Sequence, residues 1–216
     1  MLSSLVERLN DRRRADEEVG EDAGFTLIEL MVVLLIMAIL LAIAIPTFLG
    51  VTGSANDRAA QSNLNTALTS AKGVYESNQQ VYPATSVLVS SIAKDEPSLS
   101  VIADPGSVAQ NAVGAIDVYV SANGNGAILF SLAKKTNECW WVADNTQAIA
   151  TSGAGTPYTT TAPTKVGNTE QSQGVPVTAG EWYGVFKAST GTTNCGAAGV
   201  AAATSNVQQS GFPPAA

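Results

Sequence analysis

The 216-residue chain carries 13% charged residues, a net charge of −7 and no histidine. Its length suits one domain with a real core plus extra segments at its ends, since a compact domain takes about 100 to 200 residues. The missing histidine removes the commonest general base and neutral metal ligand, two cysteines are too few for most zinc sites, and the acidic balance argues against nucleic acid as the main partner, which needs a basic stripe.

Residues 1–24 are polar and charged, with Arg8, Arg12, Arg13 and Arg14 followed by Asp16, Glu17, Glu18, Glu21 and Asp22. From Leu30 to Ile45 no polar side chain occurs, and the change falls at Gly24-Phe25-Thr26-Leu27-Ile28-Glu29. A helix from Phe25 to Ile45 rises about 1.5 Å per residue and spans roughly 30 Å, the thickness of a bilayer core. The arginines on its N-terminal side hold that side in the cytoplasm. Pro46-Thr47-Phe48-Leu49-Gly50, which follows, lacks the small-residue site of a secretory signal, so the segment is expected to be retained. Glu29 stands inside the apolar run, where a lone carboxylate costs several kcal/mol unless it has a partner or lies at headgroup level. The sequence leaves both readings open.

Gly24 followed by Phe25-Thr26-Leu27-Ile28-Glu29 and an unbroken apolar helix resembles the type III signal of type IV prepilins and pseudopilins. The resemblance is carried by Gly24 to about Pro83. It implies a prepilin peptidase that cuts between Gly24 and Phe25 and methylates the new Phe25 amine. It implies that Glu29 serves assembly, its charge offset by the Phe25 amine of a neighbouring subunit, and that Pro46 interrupts the helix with a kink or a melted segment. The expected divisions are a leader over 1–24, a transmembrane and filament-core helix over 25–54, and a globular domain over 55–216. The expected partners are the peptidase, identical subunits, the assembly machinery and, before assembly, membrane lipid; no cofactor is expected.

From Ala55 to Asn78 the apolar residues Ala60, Leu64, Ala67, Leu68, Ala71, Val74 and Tyr75 recur at spacings of three and four, which predicts an amphipathic helix continuing past the membrane. Gln80-Val81-Tyr82-Pro83 stops it. Residues 82 to 114 leave the presence of short helices open. Ile116–Val120, Ala127–Ala133, Cys139–Ala143 and Glu181–Ala188 read as strands, with Asn123-Gly124-Asn125-Gly126 and Lys134 to Asn137 as their connections. An antiparallel meander covering the helix is the economical fold, with Trp140, Trp141, Trp182 and Phe186 as core residues. The class is α+β: a hydrophobic-then-amphipathic helix on an antiparallel sheet.

Asp144 to Gly180 is rich in Thr, Ser, Gly, Ala and Pro without a period and is expected to be a long surface loop, and the tail after Ser189 reads likewise. Thr151 to Thr164 is a candidate for O-linked sugars. Cys139 and Cys195 are expected to be oxidised in an exported domain, closing the C-terminal region in a manner similar to the disulfide loop of many pilins; two free buried thiols are the alternative. The function expected is a structural filament subunit, with a minor pilin (an adhesin or DNA-uptake component) or a type II secretion pseudopilin as the alternative. A membrane-anchored enzyme using acidic pairs such as Asp95 and Glu96 has least support.

Overall fold

The structure is a computed structural model that describes residues 25–103, 114–133, 136–150, 156–166, 169–188 and 195–214. The chain divides into two compact units, residues 1–48 and 49–216. Helix α1 runs Leu27–Ser77 and contributes to both. Gln79 and Gln80 take positive φ after it, so the helix ends just before the Gln80-Val81-Tyr82-Pro83 stop expected from the sequence. Helix α2, Thr85–Asp95, follows, with Leu88 and Ile92 buried one turn apart.

Among the described residues ten strands follow: β1 Val101–Ala103, β2 Ile116–Val120, β3 Gly126–Ala133, β4 Glu138–Asn145, β5 Tyr158–Thr159, β6 Thr164–Val166, β7 Thr169–Gln173, β8 Val175–Pro176, β9 Gly180–Lys187 and β10 Thr204–Gln208, with helix α3, Ala197–Ala202, preceding the last. Eight of them form one sheet in the order β1-β2-β3-β4-β9-β10-β7-β6, and β5 pairs with β8 separately. All neighbours in the large sheet are antiparallel except β1 and β2, so the α+β reading stands. The β2–β3 connection is set by Ser121, whose hydroxyl donates to Asn123 Oδ1 (2.8 Å) and accepts from Gly126 N–H (2.9 Å). Gly124 takes φ 69° there, and a Cβ on it would lie 2.9 Å from the Tyr82 carbonyl oxygen, so only glycine fits.

One face of the sheet packs on the second half of α1. Ala60, Leu64, Ala67, Leu68 and Ala71 meet Val118, Leu129, Trp140, Val142 and Val185, with Val74 and Tyr75 half-buried at the margin, which is the stripe its periodicity predicts. Polar ties reinforce that contact. Asp57 accepts from the Thr136 hydroxyl (2.6 Å) and the Trp140 indole N–H (3.3 Å), Lys72 pairs with Glu181, and the Tyr82 hydroxyl donates to Asp144 Oδ2 (2.5 Å). Burial and then the Asp144 carboxylate push the Tyr82 phenol far above its ordinary range, so it is a permanent donor.

The opposite face is covered as well. Ile128, Phe130, Trp141, Trp182 and Phe186 pack against Ile149, Tyr158, Val175, Ala197 and Val200. This corrects the expectation of a surface loop from Asp144 to Gly180: the described parts hold β5 to β8 and three buried anchors, Ile149, Tyr158 and Val175. The Asn145 amide fixes this segment by donating to the Pro176 and Thr178 carbonyls at 2.8 and 3.0 Å. It corrects the tail after Ser189 too, where α3 and β10 are ordered elements. The physical reason is shared: side chains that carry no period of their own are held by the sheet they cover. Residues 151–155, at the start of the threonine-rich stretch, and Lys134 and Lys135 in the β3–β4 connection lie outside the described residues.

Cys139 on β4 and Cys195 before α3 form a disulfide with a Cα–Cα distance of 5.4 Å, and both residues are fully buried. The free-thiol alternative is thereby removed.

Candidate functional site

The first half of α1 is long and apolar enough to cross a membrane, the one such helix among the described residues. Seventeen large apolar side chains between Phe25 and Phe48 are exposed, Phe25 the most at 85%. Removing each from water is worth roughly 1.5–3 kcal/mol, so covering this run is favourable by tens of kcal/mol. A soluble surface does not carry such a patch unless something buries it.

The N-terminal turn is organised by two polar side chains. Thr26 precedes the first helical residue, and its hydroxyl accepts from Glu29 N–H at 3.3 Å. The Glu29 carboxylate reaches back and accepts from both the Thr26 N–H and the Thr26 hydroxyl, each at 2.9 Å on Oε2. This reciprocal arrangement is a capping box, which satisfies helix-end donors that lipid could not. The negative charge also sits at the positive end of the helix dipole. Glu29 therefore has a partner within its own chain, close to the nitrogen that follows Phe25. Sequence reasoning passed over Thr26; the signal was the spacing of threonine and glutamate, T-x-x-E, directly before an apolar run.

Pro46 lies inside α1, with helical backbone on both sides, and does not terminate it. Proline leaves the Ala42 carbonyl without its usual donor. One residue on, the Thr47 hydroxyl donates to the Ile43 and Ala44 carbonyls at 3.2 and 2.9 Å. Gly24 lies outside the described residues. Cys139 and Cys195 belong to the sheet-covering layer and are remote in sequence from this helix end.

Residues 21–45 match the model of the prokaryotic N-terminal methylation motif, the type IV prepilin signal, so the span that the comparison marks is the one that carries the capping box and the exposed apolar helix. The chain is type IV pilin-like. Neither a curated protein sequence nor a solved structure matches it. The motif covers a small part of the pilin-like chain and points to a structural protein of the pilin or pseudopilin kind, with the N-terminal helix as a membrane anchor before assembly and a prepilin peptidase as its expected processing enzyme.

Proposed function

We propose that this pilin-like protein is the structural subunit of a type IV pilus-like surface filament. The observation that carries the reading is the methylation motif over residues 21–45, whose described part runs into the first half of α1, where the large apolar side chains are uncovered in the single chain. In this proposal the 1–24 leader is removed by a cut between Gly24 and Phe25, Phe25 is N-methylated, and residues 25–54 store the subunit as a single-pass membrane protein. Extraction by the assembly machinery then packs that helix against identical subunits, leaving residues 55–216 on the outside of an extracellular filament. Glu29 exchanges its Thr26 partners for the Phe25 amine of a neighbour, a pairing that fixes register because an unpaired buried charge costs several kcal/mol. Pro46 marks where the helix gives way on packing, since it already lacks one backbone bond.

A minor pilin or a type II secretion pseudopilin would share the signal and differ in abundance. The exposed Thr160 and Thr161, the sparse charge of the segment around them and the buried disulfide favour an exposed pilin. The test is to shear cells, pellet filaments and measure the intact mass and first residue of the main polypeptide. A bulk species beginning at methylated Phe25 supports the major subunit. Trace or membrane-bound Phe25 species shift the assignment to a minor pilin or pseudopilin, and an uncut chain overturns the proposal.

A further inference from the structure

Strand β10 is the last of the described strands in chain order but lies inside the sheet. It lies between β9 and β7, pairing Asn206–Gln208 with Val185–Tyr183 on one side and Thr204–Val207 with Gln173–Glu170 on the other. In the eight-stranded sheet the β7–β6 pair is joined to the rest through β10 alone. The slot it fills is specific. Ser205 and Val207 are buried, the Trp141 indole N–H donates to Ser205 Oγ (3.3 Å), the Gln171 amide donates to Asn206 Oδ1 (3.2 Å), and Phe212 beyond the strand packs edge-on against Trp140 and Tyr183.

Each of these contacts is indifferent to whether the strand comes from the same chain or from a second copy. What decides is connection. Sixteen residues separate Lys187 from Thr204; with six of them in α3 at about 1.5 Å each and the other ten at roughly 3.5 Å, they reach about 45 Å. Cys195, pinned to Cys139 on β4, leaves eight residues before Thr204, six of them in α3 with a rise of about 1.5 Å each, so the reach falls to roughly 20 Å. Two packed domains of this size have centres about 40 Å apart. The free connection spans that distance and the pinned one does not.

We infer that the Cys139–Cys195 bond is the tether that keeps β10 in its own chain, and that without it a second copy's residues 204–208 fill the slot between β9 and β7. The partner is another molecule of this protein; this rests on the membrane storage proposed above, which sets copies side by side, where they compete with a linked strand whose own effective concentration is in the millimolar range.

The test uses the full chain carrying Thr204→Lys and Gln173→Glu, register partners on β10 and β7, in unlabelled and isotope-labelled preparations. The two are mixed unfolded, refolded in detergent and joined by a zero-length carbodiimide, and the 173–204 crosslinked peptide is read by mass. With the disulfide intact every such peptide should be of one isotope. In a Cys139→Ala/Cys195→Ala background, and with Cys195→Ala alone, mixed-isotope peptides should appear and approach half of the total. Unmixed peptides alone in both variants overturn the inference, as do mixed peptides in the oxidised chain. Loss of the peptide from both variants overturns it too, since β10 then leaves its slot instead of exchanging.

Discussion

Glu29 has one observed role and one proposed one, and substitution can separate them. Its carboxylate completes a capping box with Thr26, and in the proposed filament its charge meets the amine of a neighbouring Phe25. Glu29→Gln keeps an oxygen that accepts from Thr26 but removes the charge, whereas Glu29→Val removes both. Losing a cap costs about 1 kcal/mol of helix stability. That is small beside the tens of kcal/mol from burying the apolar run, so both variants should enter the membrane fraction at wild-type levels. If charge pairing sets the register, both should give little sheared filament. Filament yield from Glu29→Gln equal to wild type would reduce the residue to a cap. Gly184 on β9 is a second residue with a sharp expectation, because a Cβ there would collide with the Trp141 indole ring. Trp141 is fully buried and held by its Ser205 bond, so the ring has no room to yield. Gly184→Ala should cost about 1–3 kcal/mol of overpacking, read as a lower denaturation midpoint with an unchanged slope.

At the scale of elements, the second half of α1 is held to the sheet by its apolar stripe and trimmed by the Lys72–Glu181 pair. The Lys72 hydrogen bond, helped by the Tyr183 hydroxyl, draws the Glu181 carboxyl below its ordinary value of about 4.5. A carboxyl lowered in the folded state adds stability above its unfolded value and loses it as pH falls through the folded value. Both side chains are more than a third exposed, so the pair is worth about 0.5 kcal/mol at most and weakens with salt. Glu181→Gln should therefore lower the melting temperature slightly at pH 7, the difference should vanish once the pH has fallen below the folded-state value, and it should shrink in 1 M salt. The strands of the meander were legible within two residues at each end because Ile116–Val120 and its successors are dense in β-branched and aromatic residues. Their near-continuous apolar run, as in Ala127–Ala133, also signalled burial on both faces, a cue that the one-sided meander reading passed over. The elements between Asn145 and Gly180 were not legible, since Ile149, Tyr158 and Val175 are single anchors far apart in a neutral sequence. β10 reads Thr-Ser-Asn-Val-Gln and becomes a strand only because β9 and β7 flank it. At the helix end, Glu29 and Phe25 stood out by charge and position, whereas Thr26 acquires its meaning from a hydrogen bond.

The whole molecule closes through a covalent link between the fourth strand and a segment that ends in the middle of the sheet. Cys139 and Cys195 are 56 residues apart, and in the chain-entropy model a loop of that size confers about 4 kcal/mol by restricting the unfolded chain. The same bond holds α3 and β10 beside the layer that buries Trp141, Trp182 and Phe186, so its loss acts on the folded state as well. Both sulfur-bearing residues are fully buried, and a dithiol reductant reaches them only through an opening of that layer. Reduction of the native protein should accordingly be slow in buffer and accelerate in sub-denaturing urea. Once reduced and alkylated, the chain should unfold at a denaturant concentration lower by the equivalent of about 4 kcal/mol. Residues 25–48 are a separate compact unit with an exposed apolar surface, so their helicity in detergent should survive the same treatment. The expected record is two transitions after reduction, an early loss of tryptophan fluorescence and a later, shallow loss of helix by circular dichroism. A single coincident transition would mean that the two units unfold as one, and the disulfide would then be stabilising the anchor as well as the sheet.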